Sequence, residues 1–170
     1  HGWQYQKNAL SVQEVLSKAI KKLTGEDIIP DGAGRTDAGV HAYGQVASFM
    51  TNSSIPSECF APALNSYLPD NISIIESMEE KNGFHARFSA KGKHYRYIII
   101  NRDQKSALWA NRAWHVRAPL DFEAMNRAAG LFMGHNSFRA FCAAGHSVKT
   151  FDRTILSSQW HREGELLIYD

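Results

Sequence analysis

The residues that bring the most chemistry into the shortest stretch are Asp31-Gly32-Ala33-Gly34-Arg35-Thr36-Asp37-Ala38-Gly39-Val40-His41-Ala42. Their small side chains let another molecule approach the backbone, while one guanidinium and one carboxylate stand two residues apart. In a strand-like segment that spacing projects Arg35 and Asp37 to the same side. A carboxylate kept ionised by a neighbouring cation is available as a nucleophile or base. The plainer reading gives Asp37 to an Asx turn or a cap and Arg35 to a surface ion pair, and spacing alone leaves both open. Two phosphate-binding readings fail. Gly32-Ala33-Gly34 starts like a dinucleotide fingerprint, but its sixth position is Asp37, a carboxylate where a phosphate would have to approach; nothing matches G-x-x-x-x-G-K-[ST].

Charge points to a partner. The 170 residues carry 19 Lys plus Arg against 17 Asp plus Glu, a formal +2. Residues 81–117 hold nine of those cations and one anion, so this segment is +8 and the remainder −6. A charge run is often only a solvated face. Here it interleaves with His94, Tyr95, Tyr97, Trp109 and Trp114, and cations for phosphates with aromatic faces for unstacked bases are what single-stranded RNA recognition uses. Eight histidines and Cys142-x-x-x-His146 hint at zinc, yet there is no H-E-x-x-H and no C-x-x-C pair, so no metal is expected. Two cysteines are too few for a disulfide framework, and no apolar run reaches the roughly 20 residues of a membrane span. A hydrophobic content of 44% supplies a core, and the start lacks a signal-peptide pattern. A soluble, unexported protein is expected.

These residues need elements to hold them. Residues 11–24 predict a helix, with Ser11 capping toward Glu14, a stripe of Val12, Val15, Leu16, Ala19, Ile20 and Leu23, and Gly25 as the stop. The loop over 31–39 leads into a predicted strand over 45–50. A second helix is predicted over 57–67 and a strand over 72–77. Residues 94–101 are a β-prone run; Asp121 caps a helix carrying Phe122, Met125, Ala129 and Phe132, with Gly134 as its stop. The tail predicts a hairpin, with one strand over 154–161, a turn over 162–164 and a second strand over 165–169. Its final apolar strand has no downstream partner in this sequence and is expected to leave the sheet an open apolar edge, and both ends look cut. The alternation indicates α+β architecture with helices on one face of a sheet.

The string from Gly34 to Ala42, followed by Gly44-Gln45-Val46, strongly resembles the active-site motif of the tRNA pseudouridine synthase A (TruA) family. The resemblance continues through Gly2-Trp3-Gln4, Ser11-Val12-Gln13-Glu14, Phe84-His85-Ala86-Arg87-Phe88-Ser89-Ala90, Tyr95-Arg96-Tyr97, and Phe138 with Phe141. It covers essentially the whole chain in the family's order.

That resemblance implies an isomerase that converts uridines at positions 38, 39 and 40 of the tRNA anticodon stem-loop to pseudouridine, without cofactor. Asp37 is then the catalytic carboxylate, by attack on the ribose carbon or by a glycal route. Arg35 pairs with it and helps turn the base out, and Tyr95 contacts the flipped uracil, unless it is an inward core tyrosine. Phe84, His85, Ala86, Arg87 and Phe88 form the RNA-contacting segment, and Lys149 is a basic loop residue touching tRNA. His41 and His85 are read as loop packing or RNA contacts. The implied fold is a mostly antiparallel mixed sheet with helices on one face, built from two ferredoxin-like (RRM-like) halves. Residues 1–90 form the half with the catalytic loop and residues 91–170 an incomplete second half. The family also implies a cytoplasmic homodimer, with neither membrane nor small-molecule cofactor. It further implies elements beyond both ends, including a Tyr-Asp-Gly strand before Gly2, so the chain is expected to be truncated. A non-catalytic RNA-binding module on the same fold is the competing reading, and a structural or metabolic domain without nucleic acid is a third.

Overall fold

Ser11 opens α1 (Val12–Thr24) as its spacing predicts, its Oγ accepting the Glu14 N–H at 3.2 Å. The Glu14 carboxylate turns to Lys18 Nζ at 2.6 Å. Gly25, at φ 79°, ends the helix by donating its N–H to the Lys21 carbonyl, a left-handed cap that suits glycine. Ser11 is itself only 1% exposed. Ser11→Ala is therefore expected to cost about 1 kcal/mol, seen as a lower denaturation midpoint at unchanged m.

The structure is a computed structural model that describes residues 1–142 and 150–170. They divide into two units, His1–Lys93 and His94–Asp170. In the first, the apolar stripe of α1 buries Leu16, Ala19 and Ile20 against Trp3, Phe60 and Leu64. Two short strands lie beside this core: β1 (Asp31–Gly32) pairs antiparallel with β2 (Ala47–Ser48). The strand predicted over 45–50 is thus reduced to two residues, and its partner is the start of the glycine-rich loop. A 3-10 turn (Ser57–Cys59) leads into α2 (Phe60–Asn65), within the predicted second helix.

The strand predicted over 72–77 does not form. Asn65 intercepts it, donating Nδ2 to the Ile74 carbonyl at 2.8 Å and accepting the Ile74 N–H at 2.7 Å. Ser77 Oγ accepts the Ala61 N–H and donates to the Ser57 carbonyl. Backbone groups that a ladder would use are taken by a side chain of α2. Glu26 ties down the chain after β2 by accepting from the Thr51 hydroxyl and from Asn52. Those bonds, Thr51 first, hold its carboxyl below the ordinary carboxylate range.

The second unit is built on a four-stranded mixed sheet. Its strands β3 (Tyr97–Asn101), β4 (Trp114–Val116), β7 (Trp160–Glu163) and β8 (Leu166–Tyr169) lie in the order β4-β3-β8-β7. Only β3 and β4 run parallel, which requires a long crossover, here residues 102–113. That crossover covers one face, where Trp109 and Ala113 pack on Ile98, Ile100, Leu166 and Ile168. On the other side α3 (Phe122–Gly130), capped by Asp121 through the Ala124 N–H at 2.9 Å, lies against β7. Asn126 Oδ1 accepts the Trp160 N–H, and the Arg162 guanidinium sits 5.5 Å over the Phe122 ring. The helix ends at Gly130, short of Gly134, which instead opens β5 (Gly134–Ser137) at φ 86°.

Two expectations for the tail are corrected. The single strand predicted over 154–161 is two strands: β6 (Asp152–Ile155) pairs with β5 in a separate ribbon, and β7 begins only at Trp160. Between them Ser158 is buried, its Oγ 2.7 Å from both the Ala129 carbonyl and the Tyr169 hydroxyl. The last apolar run is not the open edge of the sheet. β8 sits between β3 and β7, with Leu166, Leu167 and Ile168 all buried, as an unbroken apolar run covered on both faces requires. No described helix is long and apolar enough to cross a membrane.

Candidate active site

The Asp37 loop is anchored from below by the first residues of the chain. Trp3 donates its N–H to the Thr36 carbonyl at 3.0 Å, while the Gly2 and Trp3 carbonyls accept from Val12 and Gln13 at the start of α1. Gly2 has φ 78°, and a Cβ there would fall 2.5 Å from the Thr36 oxygen. The Trp3 indole lies under β1, so close that a Cβ on Gly32 would stand 2.4 Å from the ring. Both glycines are present because the loop and its support touch backbone to backbone and backbone to ring. Gln45 donates its side-chain amide to the Gly34 carbonyl, and Lys93 Nζ lies across the Gly34 backbone.

Past Asp37 the chain turns. Val40 donates its N–H to the Asp37 carbonyl at 3.2 Å, with Gly39 at φ 82° in the third position, where a type II turn calls for glycine. The turn therefore uses the main chain of Asp37, and its carboxylate takes no hydrogen bond among the described residues. Arg35 and Asp37 line one open cleft of about 380 Å³, together with Gln4, Gln6, Asn8 and Thr36. A guanidinium and an unclaimed carboxylate on one polar wall are able to hold a polyanion and present a nucleophile or base beside it.

The segment over 84–88 is fixed against the β1–β2 pair. Ala86 is buried, and its N–H reaches Ser48 Oγ at 2.9 Å. His85 places Nε2 at 3.6 Å from Asp31 Oδ2, and its Nδ1 accepts the Arg87 N–H. Phe84 and Phe88 are exposed; the Phe88 ring lies 4.5 Å from His85 and has the Arg87 guanidinium 5.6 Å above it. Stacking of that kind covers the guanidinium face while its edge keeps donors for a phosphate.

Tyr95 belongs to the second unit and is 72% exposed, against its reading as a core tyrosine. Lys149 lies outside the described residues. Among those residues no three His, Cys, Asp or Glu side chains gather as a metal site would need. The residues that sequence reasoning passed over are Gln6 and Asn8; Lys93 counts there only as one of the cations over 81–117. Gln6 and Asn8 join the cleft only through the Gln6–Ala9 bridge that folds residues 6–9 back, and no local pattern marks them.

Residues 2–89 match the family model described as tRNA pseudouridine synthase. A tRNA pseudouridine synthase A from Acetivibrio thermocellus is 52% identical over 170 residues, covering 100% of this chain and 70% of the relative. The chain belongs to the tRNA pseudouridine synthase family. Pseudouridine synthases are isomerases, so the family's chemistry is a rearrangement. Two further relatives of the same name agree. The protein from Moorella thermoacetica is 46% identical over 171 residues, 99% of this chain and 70% of the relative. That from Thermoanaerobacter pseudethanolicus is 52% identical over 155 residues, 91% of this chain and 64% of the relative. The chain thus spans about two thirds of the length of these synthases. The family match includes the Asp37 loop, the Gly2-Trp3 support and the 84–88 segment.

Proposed function

We propose that this chain carries the catalytic centre of a tRNA pseudouridine synthase acting on uridines 38, 39 and 40 of the anticodon stem-loop. Asp37 is the catalytic carboxylate and no cofactor takes part. The observation that carries the reading is that Arg35 and an unclaimed Asp37 carboxylate line one cleft, inside the segment that matches the family. In the reaction the N1–C1′ glycosidic bond breaks and a C5–C1′ bond forms; C5 loses a proton and N1 gains one, so no electrons are exchanged with a cofactor. The carboxylate serves at the sugar or at its adjacent proton, and Arg35 balances its charge and helps hold the base out of the stack. Extrusion costs a few kcal/mol of lost stacking, which an aromatic face repays. Tyr95 supplies that face. Phe84, His85, Ala86, Arg87, Phe88 and Lys149 follow the tRNA backbone.

The remaining parts of the reading concern assembly. Residues 1–90 and 91–170 are the two ferredoxin-like halves of one catalytic unit in a pseudouridine synthase fold. The enzyme works in the cytoplasm as a homodimer spanned by tRNA. What supports RNA as the partner is the +8 segment over 81–117 with its interleaved aromatics. The full chain incubated with tRNA from cells lacking the protein is expected to generate pseudouridine at positions 38–40. Affinity should fall steeply with salt, log K dropping by about 0.7 to 0.9 per phosphate neutralised for each decade of salt. Binding without pseudouridine would leave an RNA-binding module; affinity flat with salt would remove RNA as the partner.

A further inference from the structure

A side-chain clamp holds both neighbours of Tyr95. The Asp170 side chain, 13% exposed, accepts Arg96 Nε at 2.8 Å and Arg96 Nη2 at 2.9 Å, one on each oxygen. Its Oδ1 also lies 2.8 Å from His94 Nε2, and its Oδ2 lies 3.7 Å from His161 Nδ1. The carboxylate is itself fixed, because the Asp170 main chain exchanges two 3.0 Å hydrogen bonds with Gln159. The Arg96 bonds outweigh the opposing effect of burial and, with His94, keep the Asp170 carboxyl below the ordinary carboxylate range.

The clamp matters because of where the ladder stops. Residues 94–101 predict one strand, but β3 begins at Tyr97, whose partner is Tyr169 at the end of the β3–β8 register. Among the described residues no strand pairing reaches residues 94–96. Residues 94 and 96 reach the same carboxylate, so the residue between them is secured at both ends. The ring so presented is the exposed one of Tyr95.

We propose that Asp170 is a positioning residue for Tyr95, holding its ring ready for the extruded base through His94 and Arg96. The inference rests on the reading of Tyr95 as the base-facing tyrosine. Displacing a positioned group by about 1 Å costs on the order of 100-fold in rate. In the full chain, Asp170→Ala is expected to lower the single-turnover rate of pseudouridine formation by about that factor, with tRNA affinity changed less than about threefold. In a Tyr95→Ala background the same substitution should add less than about twofold, because its effect passes through the missing ring. Where thermal unfolding shows that Asp170→Ala has not folded, Arg96→Gln carries the same two expectations. A folded variant with the wild-type rate, or one whose full loss persists without the Tyr95 ring, overturns the proposal. Tyr95→Ala turning over normally would instead overturn the reading of Tyr95 itself, and the proposal with it.

Discussion

Asp37→Asn is expected to abolish uridine isomerisation while leaving the fold and tRNA binding nearly intact. The expected loss in single-turnover rate is at least about 10⁴-fold, the scale seen when a group acting covalently or as a base is removed. The side chains are isosteric, so the cleft keeps its shape. The turn after Asp37 is closed by the main-chain carbonyl, which the substitution does not alter. The carboxylate has no structural hydrogen bond to lose among the described residues, and its neighbour on the cleft wall is Arg35. If the cleft takes the tRNA as proposed, removing one negative charge from it should leave affinity unchanged within a few-fold or tighten it slightly. Quantifying pseudouridine and measuring tRNA affinity on the same preparation separates the two effects. Turnover within about tenfold of wild type would take Asp37 out of the catalytic role.

Trp3→Ala carries the largest expected effect on stability. Trp3 is 6% exposed and packs in the cluster of Leu16, Ala19, Ile20, Phe60 and Leu64. Truncating a buried aromatic to alanine costs about 3–5 kcal/mol, because the surrounding side chains refill the void only in part. The effect also reaches the site. The indole supports Gly32 at the start of the Asp37 loop, and the Trp3 N–H donates to the Thr36 carbonyl next to Asp37. Urea denaturation of Trp3→Ala should show the loss as a lower midpoint. Whatever fraction remains folded should turn over more slowly than its population accounts for. A stability change below about 1 kcal/mol would show that the neighbouring side chains close over the gap.

The elements legible from sequence share one property: the residues that define them are close together along the chain. α1 and α3 are set by a stripe of apolar residues and by a cap three residues from its donor, so Ser11 and Asp121 stand where the pattern puts them. Gly25 ends α1 for the same local reason. Where a distant group competes, the pattern misleads. Residues 72–77 have strand character, but the Asn65 carboxamide takes the Ile74 backbone groups first. Residues 154–161 look like one strand and are divided between two sheets, with Ser158 drawn inward to Ala129 and Tyr169. The apolar run at the end resembles an edge awaiting partners, yet it has neighbours on both sides.

For the candidate site the division is similar. The sequence alone determined the family, through the Gly34-to-Ala42 string and the segments that accompany it, and it singled out Arg35 and Asp37 by their chemistry and spacing. Spacing left open whether the Asp37 carboxylate was tied into its own turn. Only the tertiary structure decided that, because the same Asp37-Ala38-Gly39 string suits both a turn closed by the main chain and one closed by the carboxylate. The tertiary structure alone also brought Trp3 beneath Gly32 and laid Lys93 across Gly34. It set Asp170 against His94 and Arg96, 74 or more residues away along the chain. Such contacts leave no periodic trace in a sequence, since each joins single residues whose separation is fixed by packing and by sheet register.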